Sequence, residues 1–259
     1  MKSAIKRELL EGLRTYKFLI IAAVFMFFAL LNPVMNKLVL PEILKSQFAE
    51  ISGDMLNQML ITSQTDNVIG YLSDVYEVGS IVVVLILASL VSGELRTRSF
   101  ILPISSGKSF HNLVISKLTV YGIFTILVAV AATLFDYLYA GILFGFDISG
   151  VLPVIRAGLL QGLFFVFAIS MVITVGSFVK KPIVAGMLTL MLTYGTQILS
   201  GLFKIEKFTP AGLLKEAGML AEKANPGIYV TLAITVALVA AFISIAIIRL
   251  NSTELANSK

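Results

Sequence analysis

The stretch Gly227-Ile-Tyr-Val-Thr-Leu-Ala-Ile-Thr-Val-Ala-Leu-Val-Ala-Ala-Phe-Ile-Ser-Ile-Ala-Ile-Ile248 runs for 22 residues without one charged side chain. As a helix rising 1.5 Å per residue it reaches about 33 Å, enough to cross ~30 Å of hydrocarbon. Working back along the chain, five more apolar segments stand out, at 18–40, 71–92, 118–140, 152–179 and 183–203. The second is the shortest in its clean core, 78–92, and must extend through Asp74 and Glu77 on one side or through Glu94 and Arg96 on the other. Across all 259 residues 58% are hydrophobic and only 14% charged. A soluble domain carries about 25% charged residues, so an ordinary soluble enzyme and a disordered chain are both excluded. The expected fold is all-α: a single polytopic transmembrane domain, 1–259, with six spans inside 18–248.

Lys and Arg orient such a chain, because loops rich in them stay on the cytoplasmic side. Thirteen of the 20 lie at the N-terminus, in the loop after span two, in Lys180-Lys181 or in the tail 249–259. Only four acidic residues accompany them, against eleven acidic and seven basic residues elsewhere. Both termini are therefore expected inside, and the net charge of +5 reads as a topology signal, with no nucleic-acid partner. Residues 2–17 read as an amphipathic helix, with Ile5, Leu9, Leu10 and Leu13 opposite Lys and Arg, lying in the headgroup plane and feeding span one. A cleavable signal peptide is not expected, because the first apolar segment is longer than an h-region and no small-residue cleavage site follows it. Residues 41–70 and 204–226 read as short amphipathic helices on the outer surface.

Several kinds of chemistry lack their residues. Cysteine is absent and His111 is the one histidine, so neither a disulfide framework nor a zinc or haem cluster is expected. There is no Walker A pattern; Ser106-Gly107-Lys108-Ser109 lacks the first glycine and the preceding strand. There is no nucleophile elbow, H-E-x-x-H motif or mid-membrane aspartate pair of the kind an intramembrane hydrolase needs. The centres of spans one, three, five and six hold no Asp, Glu, Lys or Arg, which disfavours an ion-coupled carrier.

The loop after span two, 93–112, holds more than topology requires. Glu94 closes the span, Arg96 and Arg98 follow, and Phe100, Ile101 and Leu102 make a short amphipathic turn. Pro103-Ile104-Ser105 stops it, and Lys108 and Lys117 lead into span three. An exposed apolar face with a proline stop suits a surface that docks another protein. Glu94 is placed either to pair with Arg96 and Arg98 or to reach a basic surface on that partner.

At these residues the chain resembles the permease subunits of ABC-2 type (type V) ABC transporters. Their loop commonly pairs an acidic residue with a Pro-[Ile/Val]-Ser step and a basic residue, matched here by Glu94, Pro103-Ile104-Ser105 and Lys117. The start Ile5-Lys-Arg-Glu8-Leu-Leu-Glu11, the Leu40-Pro41-Glu-Ile43 step and Phe208-Thr-Pro210 before span six are also similar. The Gly-Thr of the family loop is replaced by Arg-Ser or Arg-Thr, and Ser106 stands where Arg is usual. The resemblance implies an exporter subunit of the bacterial plasma membrane that pairs with a second permease subunit. Two cytoplasmic ABC ATPase subunits would bind ATP and Mg, and this chain would hold no cofactor. Glu94, Arg96, Arg98, Pro103, Ile104, Ser105 and Lys108 would couple to the ATPase. An ion-coupled secondary transporter, or a membrane immunity or assembly factor acting without an ATPase, stays open as an alternative.

Polar residues inside the spans carry two further expectations. Thr189, Thr193, Thr196, Gln197 and Ser200 fall on one face of span five, where they either line a pathway or hydrogen-bond to neighbouring helices. Asp136 in span three and Arg156 in span four lie at matched depth, about 6 Å below the outer boundary at 1.5 Å per residue. They either pair across adjacent helices or snorkel separately. Gly158-x-x-x-Gly162, and Ala233, Ala237 and Ala241, read as close-packing faces.

Overall fold

The computed structural model describes residues 2–47, 63–99, 109–220 and 225–257, all of it helix and connecting turns with no strand among them. Six helices are long and apolar enough to cross a membrane, as a multi-pass membrane protein requires. Span one is Lys17–Leu44, span two Gln64–Thr97, span three Phe110–Phe144, span four Val151–Phe178, span five Pro182–Leu202 and span six Ile228–Ser252. An even number of spans brings both termini to one end of the bundle. The first helix, Lys2–Arg14, lies at that end and packs on spans one and three. It turns into span one through Tyr16, whose φ of 57° is left-handed. Gly12 permits the sharp return: a Cβ there would sit 2.5 Å from the Phe18 ring. Leu9, Leu10 and Leu13 stay exposed while Ala4, Glu8 and Gly12 are covered.

Spans two and three are longer than their apolar runs. Span two runs a further ten residues before Asp74 and Glu77, and carries Glu94 and Arg96 at its other end. Span three begins at Phe110, capped by Ser109, whose Oγ accepts from the Asn112 N–H at 3.4 Å. The extra turns hold charged residues that find partners on other helices, so hydropathy ends the segments earlier than the backbone does. The loop assigned to 93–112 shrinks in consequence. Residues up to Thr97 are helical, and Arg98, at φ 56°, terminates the helix in the left-handed conformation. Phe100, Pro103, Ile104, Ser105 and Lys108 lie outside the described residues.

Span four is the most enclosed of the six and packs against spans three, five and six. Its glycines meet span three backbone to backbone. A Cβ on Gly158 would stand 2.9 Å from Val130 Cα, and one on Gly162 would stand 2.8 Å from Ile126 Cα. Without side chains the two helices approach closely and gain dispersion, which drives helix association in lipid. The alanine face expected on span six is not covered by the described residues: Ala233, Ala237 and Ala241 are exposed. Span six instead covers Thr235, Ile243, Ala246 and Leu250, and its Phe242 carbonyl accepts from Thr174 Oγ1 of span four at 2.8 Å.

Two spans contain a wide π turn, Met35–Val39 in span one and Val75–Gly79 in span two. The first follows Pro33, which has no N–H to give its turn. The second carries Tyr76 and Glu77. Beyond span five, a short turn at Glu206–Phe208 leads to a nine-residue helix, Ala211–Met219, at the end opposite the termini. Of the apolar residues expected to share a face over 204–226, Leu213 and Leu220 are buried and Met219 is exposed, while the charged Glu216 is buried beside them.

Candidate functional site

At the end bearing the termini, six charged side chains close into one knot. Lys117 Nζ lies 2.9 Å from Glu8 Oε2 and 3.0 Å from Glu94 Oε1. Arg7 reaches the same two carboxylates, at 2.8 Å from Glu8 Oε1 and 2.7 Å from Glu94 Oε1. Lys17 adds a longer contact to Glu11, 3.5 Å. Lys117 and Glu8 are wholly buried. Burial opposes the charge on Arg7, but Glu94 and Glu8 outweigh it and raise the guanidinium pKa further above its ordinary value. Three carboxylates, Glu8, Glu11 and Glu94, come close enough to share a metal ion. Three cations already neutralise them, so a divalent ion would have to displace Lys117 or Arg7.

The knot joins three elements far apart in sequence: the first helix, the end of span two and the start of span three. Glu94 and Lys117 flank the intervening loop on its two sides. Glu94 therefore does not pair with Arg96 or Arg98, which point outward and are exposed.

At the other end, amides take the place of charges. Asn32 Nδ2 donates to Asp74 Oδ2 at 2.6 Å, and Asn36 Nδ2 donates to Asn32 Oδ1 at 3.0 Å and to Asn67 Oδ1 at 2.9 Å. Asn67 Nδ2 reaches both oxygens of Asp136, at 3.1 and 3.2 Å. Gln64 donates to the Tyr137 carbonyl at 2.7 Å and accepts from the Asp147 N–H at 2.8 Å. This row of polar contacts stitches spans one, two and three. Asp136, expected either to pair with Arg156 or to snorkel, has its carboxylate held by Asn67 of span two. In the turn between spans three and four, the Ser149 hydroxyl and N–H both donate to Asp147, and these bonds hold its pKa below the usual carboxylate value.

The polar face of span five divides. Thr189 and Thr193 are buried. The first bonds back to the Ala185 carbonyl at 2.8 Å, and the second meets Met171 Sδ of span four at 3.8 Å. Thr196 is exposed and bonds to the Thr193 carbonyl at 2.8 Å. These three are satisfied by their own helix or by packing. Gln197 and Ser200, one turn further on, line a cleft of about 840 Å³ between spans two, four and five and the helix Ala211–Met219.

The cleft is mostly apolar, walled by Ile69, Leu72, Ile198, Leu202 and Leu214. Its inner side carries Tyr76 from the π turn of span two and Gln161 from span four. The Tyr76 ring packs 5.5 Å from those of Phe164 and Tyr194. Tyr194 is fixed in turn, its hydroxyl 2.7 Å from Ser80 Oγ and donating to the Glu77 carbonyl within the π turn. Gln161 Nε2 donates to the Leu72 carbonyl at 2.8 Å, which leaves Oε1 without a partner among the described residues. Tyr76 Oη and Gln197 Oε1 are likewise buried and without one.

Sequence reading passed over Gln64, Asn67, Gln161, Tyr76 and Tyr194. Gln64, Asn67, Tyr71 and Asp74 did carry a signal, a helical spacing that puts polar groups on one side of a span.

No protein-family model matches the chain, and no curated protein matches it.

Proposed function

We propose that this chain is the membrane-spanning permease subunit of an ATP-driven exporter of the ABC-2 type, with both termini in the cytoplasm of a bacterial cell. A separate ATPase subunit binds ATP and Mg, and a second permease subunit completes the path. The observation that supports this reading is the knot around Lys117. A loop that only connected two spans would need no buried ion pairs at its base. Here both flanks are tied to each other and to the first helix, so a force applied at the loop reaches spans one, two and three together. That is the mechanical requirement for a subunit driven from below by an ATPase. Arg96 and Arg98, exposed beside the knot, are available for the partner; Pro103, Ile104, Ser105 and Lys108 enter this reading by sequence resemblance alone.

The test is co-purification with the ABC ATPase encoded by a neighbouring gene, followed by ATP hydrolysis in the complex. Stable association and hydrolysis that responds to changes at Glu94 support the reading. A chain that binds no ATPase, and works without one, overturns it.

A second reading, an ion-coupled carrier, is favoured by the buried Asp136 and its row of amides, since intramembrane carboxylates commonly serve ion or proton pathways. Substrate movement under an ion gradient in ATP-free liposomes would select it.

A further inference from the structure

We propose that the cleft beside Tyr76 and Gln161 binds an amphiphile with an apolar body and an N–H donor head, the chemistry of a protonated alkylamine. Buried polar groups nearly always meet a hydrogen-bond partner. Three in one cleft, Tyr76 Oη, Gln161 Oε1 and Gln197 Oε1, meet none among the described residues. Gln161 is fully buried and Tyr76 is 8% exposed, so neither is a rim group open to bulk water. The bond from Gln161 Nε2 to the Leu72 carbonyl fixes which end of that amide is free, and the free end is an acceptor. A hydroxyl can also accept. The site therefore asks its occupant for donors.

Charge points the same way. The lining contains the carboxylates of Glu77 and Glu206 against one cation, Lys215, which is spent on Glu206 at 2.6 Å. An anion would meet surplus negative charge, and one such as a sulfate ester would also bring no donor. The remaining walls are apolar, and about 840 Å³ falls within the range of small-molecule sites. The occupant places its hydrocarbon along Ile69, Ile198 and Leu202, and side-chain rotation of Tyr76, Gln161 and Gln197 brings their oxygens, covered in this structure, to its N–H groups.

This deepens the export reading by naming the class of cargo, and it rests on that reading only for its purpose. Binding is measured with no ATPase present. A failed ATPase test thus leaves the site standing, and failed binding leaves the coupling loop untouched.

The probe is a dansyl-labelled alkylamine, bright in apolar surroundings, titrated into the full chain in lipid nanodiscs with empty nanodiscs as the blank. Saturable binding is expected, displaced by dodecylamine and at least about tenfold less well by dodecyltrimethylammonium, which has the charge but no N–H. Dodecyl sulfate should not compete. Tyr76→Phe removes a hydroxyl that has no partner among the described residues, so the fold is kept, and affinity should fall about threefold to tenfold, the worth of one hydrogen bond. Gln197→Met should do the same, and Thr196→Ala, away from the cleft, should change nothing. Nanodiscs of phosphatidylethanolamine in place of phosphatidylcholine separate the two sources of such a head. Weaker probe binding there assigns the site to a lipid headgroup, and equal binding assigns it to a free amine. A signal no larger than the blank overturns the proposal, as does equal competition by the quaternary ion or by the sulfate, or affinity unmoved by both cleft variants.

Discussion

Lys117 and Glu94 stand on opposite flanks of one loop and meet at its base, Nζ to Oε1, 3.0 Å apart. Each also holds the first helix, Lys117 through Glu8 and Glu94 through Arg7. A buried ion pair adds little over an apolar pair of the same shape, because both ions lose their water. Removing one member is far more costly, because it leaves a bare charge behind. Lys117→Met should therefore destabilise the chain by roughly 3–5 kcal/mol. Lys117→Met combined with Glu8→Gln should recover part of that loss. Thermal unfolding in detergent reads both, and additive losses would break the account.

Glu94 sits closer to the surface than Lys117. Glu94→Gln keeps the shape and one acceptor but removes the charge facing Arg7. Insertion and expression should survive, while ATP hydrolysis in the complex separates from transport. Normal coupling in this variant would take the knot out of the mechanism.

The glycines of span four give a contrast within one type of substitution. Gly162→Ala drives a methyl against Ile126 Cα, a backbone atom that cannot move aside, so spans three and four must separate. The yield of folded protein should fall sharply. Gly195 has nothing within 4 Å, and Gly195→Ala should be neutral or stabilising by up to about 1 kcal/mol, the usual helix preference. Equal tolerance at both positions, measured by thermal unfolding, would contradict the backbone contact.

Asn67→Leu strips the donor from Asp136 and the acceptor from Asn36 at once. A loss of about 1–3 kcal/mol is expected for the buried groups left unsatisfied. Asp136→Asn, which keeps polar atoms in place, should be much milder. Exchanging charges through Asp136→Arg with Arg156→Asp should show no rescue, since the carboxylate belongs to Asn67. Rescue in that exchange would restore the pairing with span four.

On span five, Thr193→Val should cost about 1 kcal/mol or less and leave transport per folded molecule unchanged, because its hydroxyl donates to a weak acceptor, the Met171 sulfur. Gln197→Leu should leave stability intact and alter transport, because Gln197 lines the cleft and its oxygen has no partner among the described residues. The reverse pattern would move the pathway to the lower half of the span.

The six spans were legible because each holds an apolar run that few other structures tolerate. Their ends were not. The turns containing Glu94 and Lys117 look like loop by charge, and they are helical because Arg7 and Glu8 neutralise them. Glu8 lies 109 positions from Lys117, and Arg7 lies 87 from Glu94. Hydropathy along the chain carries no information about such partners. Asp136 stands out in the sequence as a charge at the right depth, but the pattern there points only to charged partners. The amide of Asn67 satisfied it instead, and asparagine has no sign to search for. In span four the Gly158 and Gly162 spacing was readable in advance because a missing side chain leaves a gap that only another helix fills. The alanines of span six share that spacing and fill no such gap, since a methyl permits approach without requiring it.

The wide turn at Val75–Gly79 also sets a phase. A π turn holds one residue more than the α-helix on either side, and one residue is about 100° of rotation. The part of span two before the turn is therefore offset in angle from the part after it. Asn67 and Gln64 address span three from the first part, and Ser80 addresses Tyr194 of span five from the second. Deleting a single residue from the turn would make a more regular helix and a worse protein. It would swing one set of contacts a quarter-turn or more out of line with the other, however well each half kept its own shape.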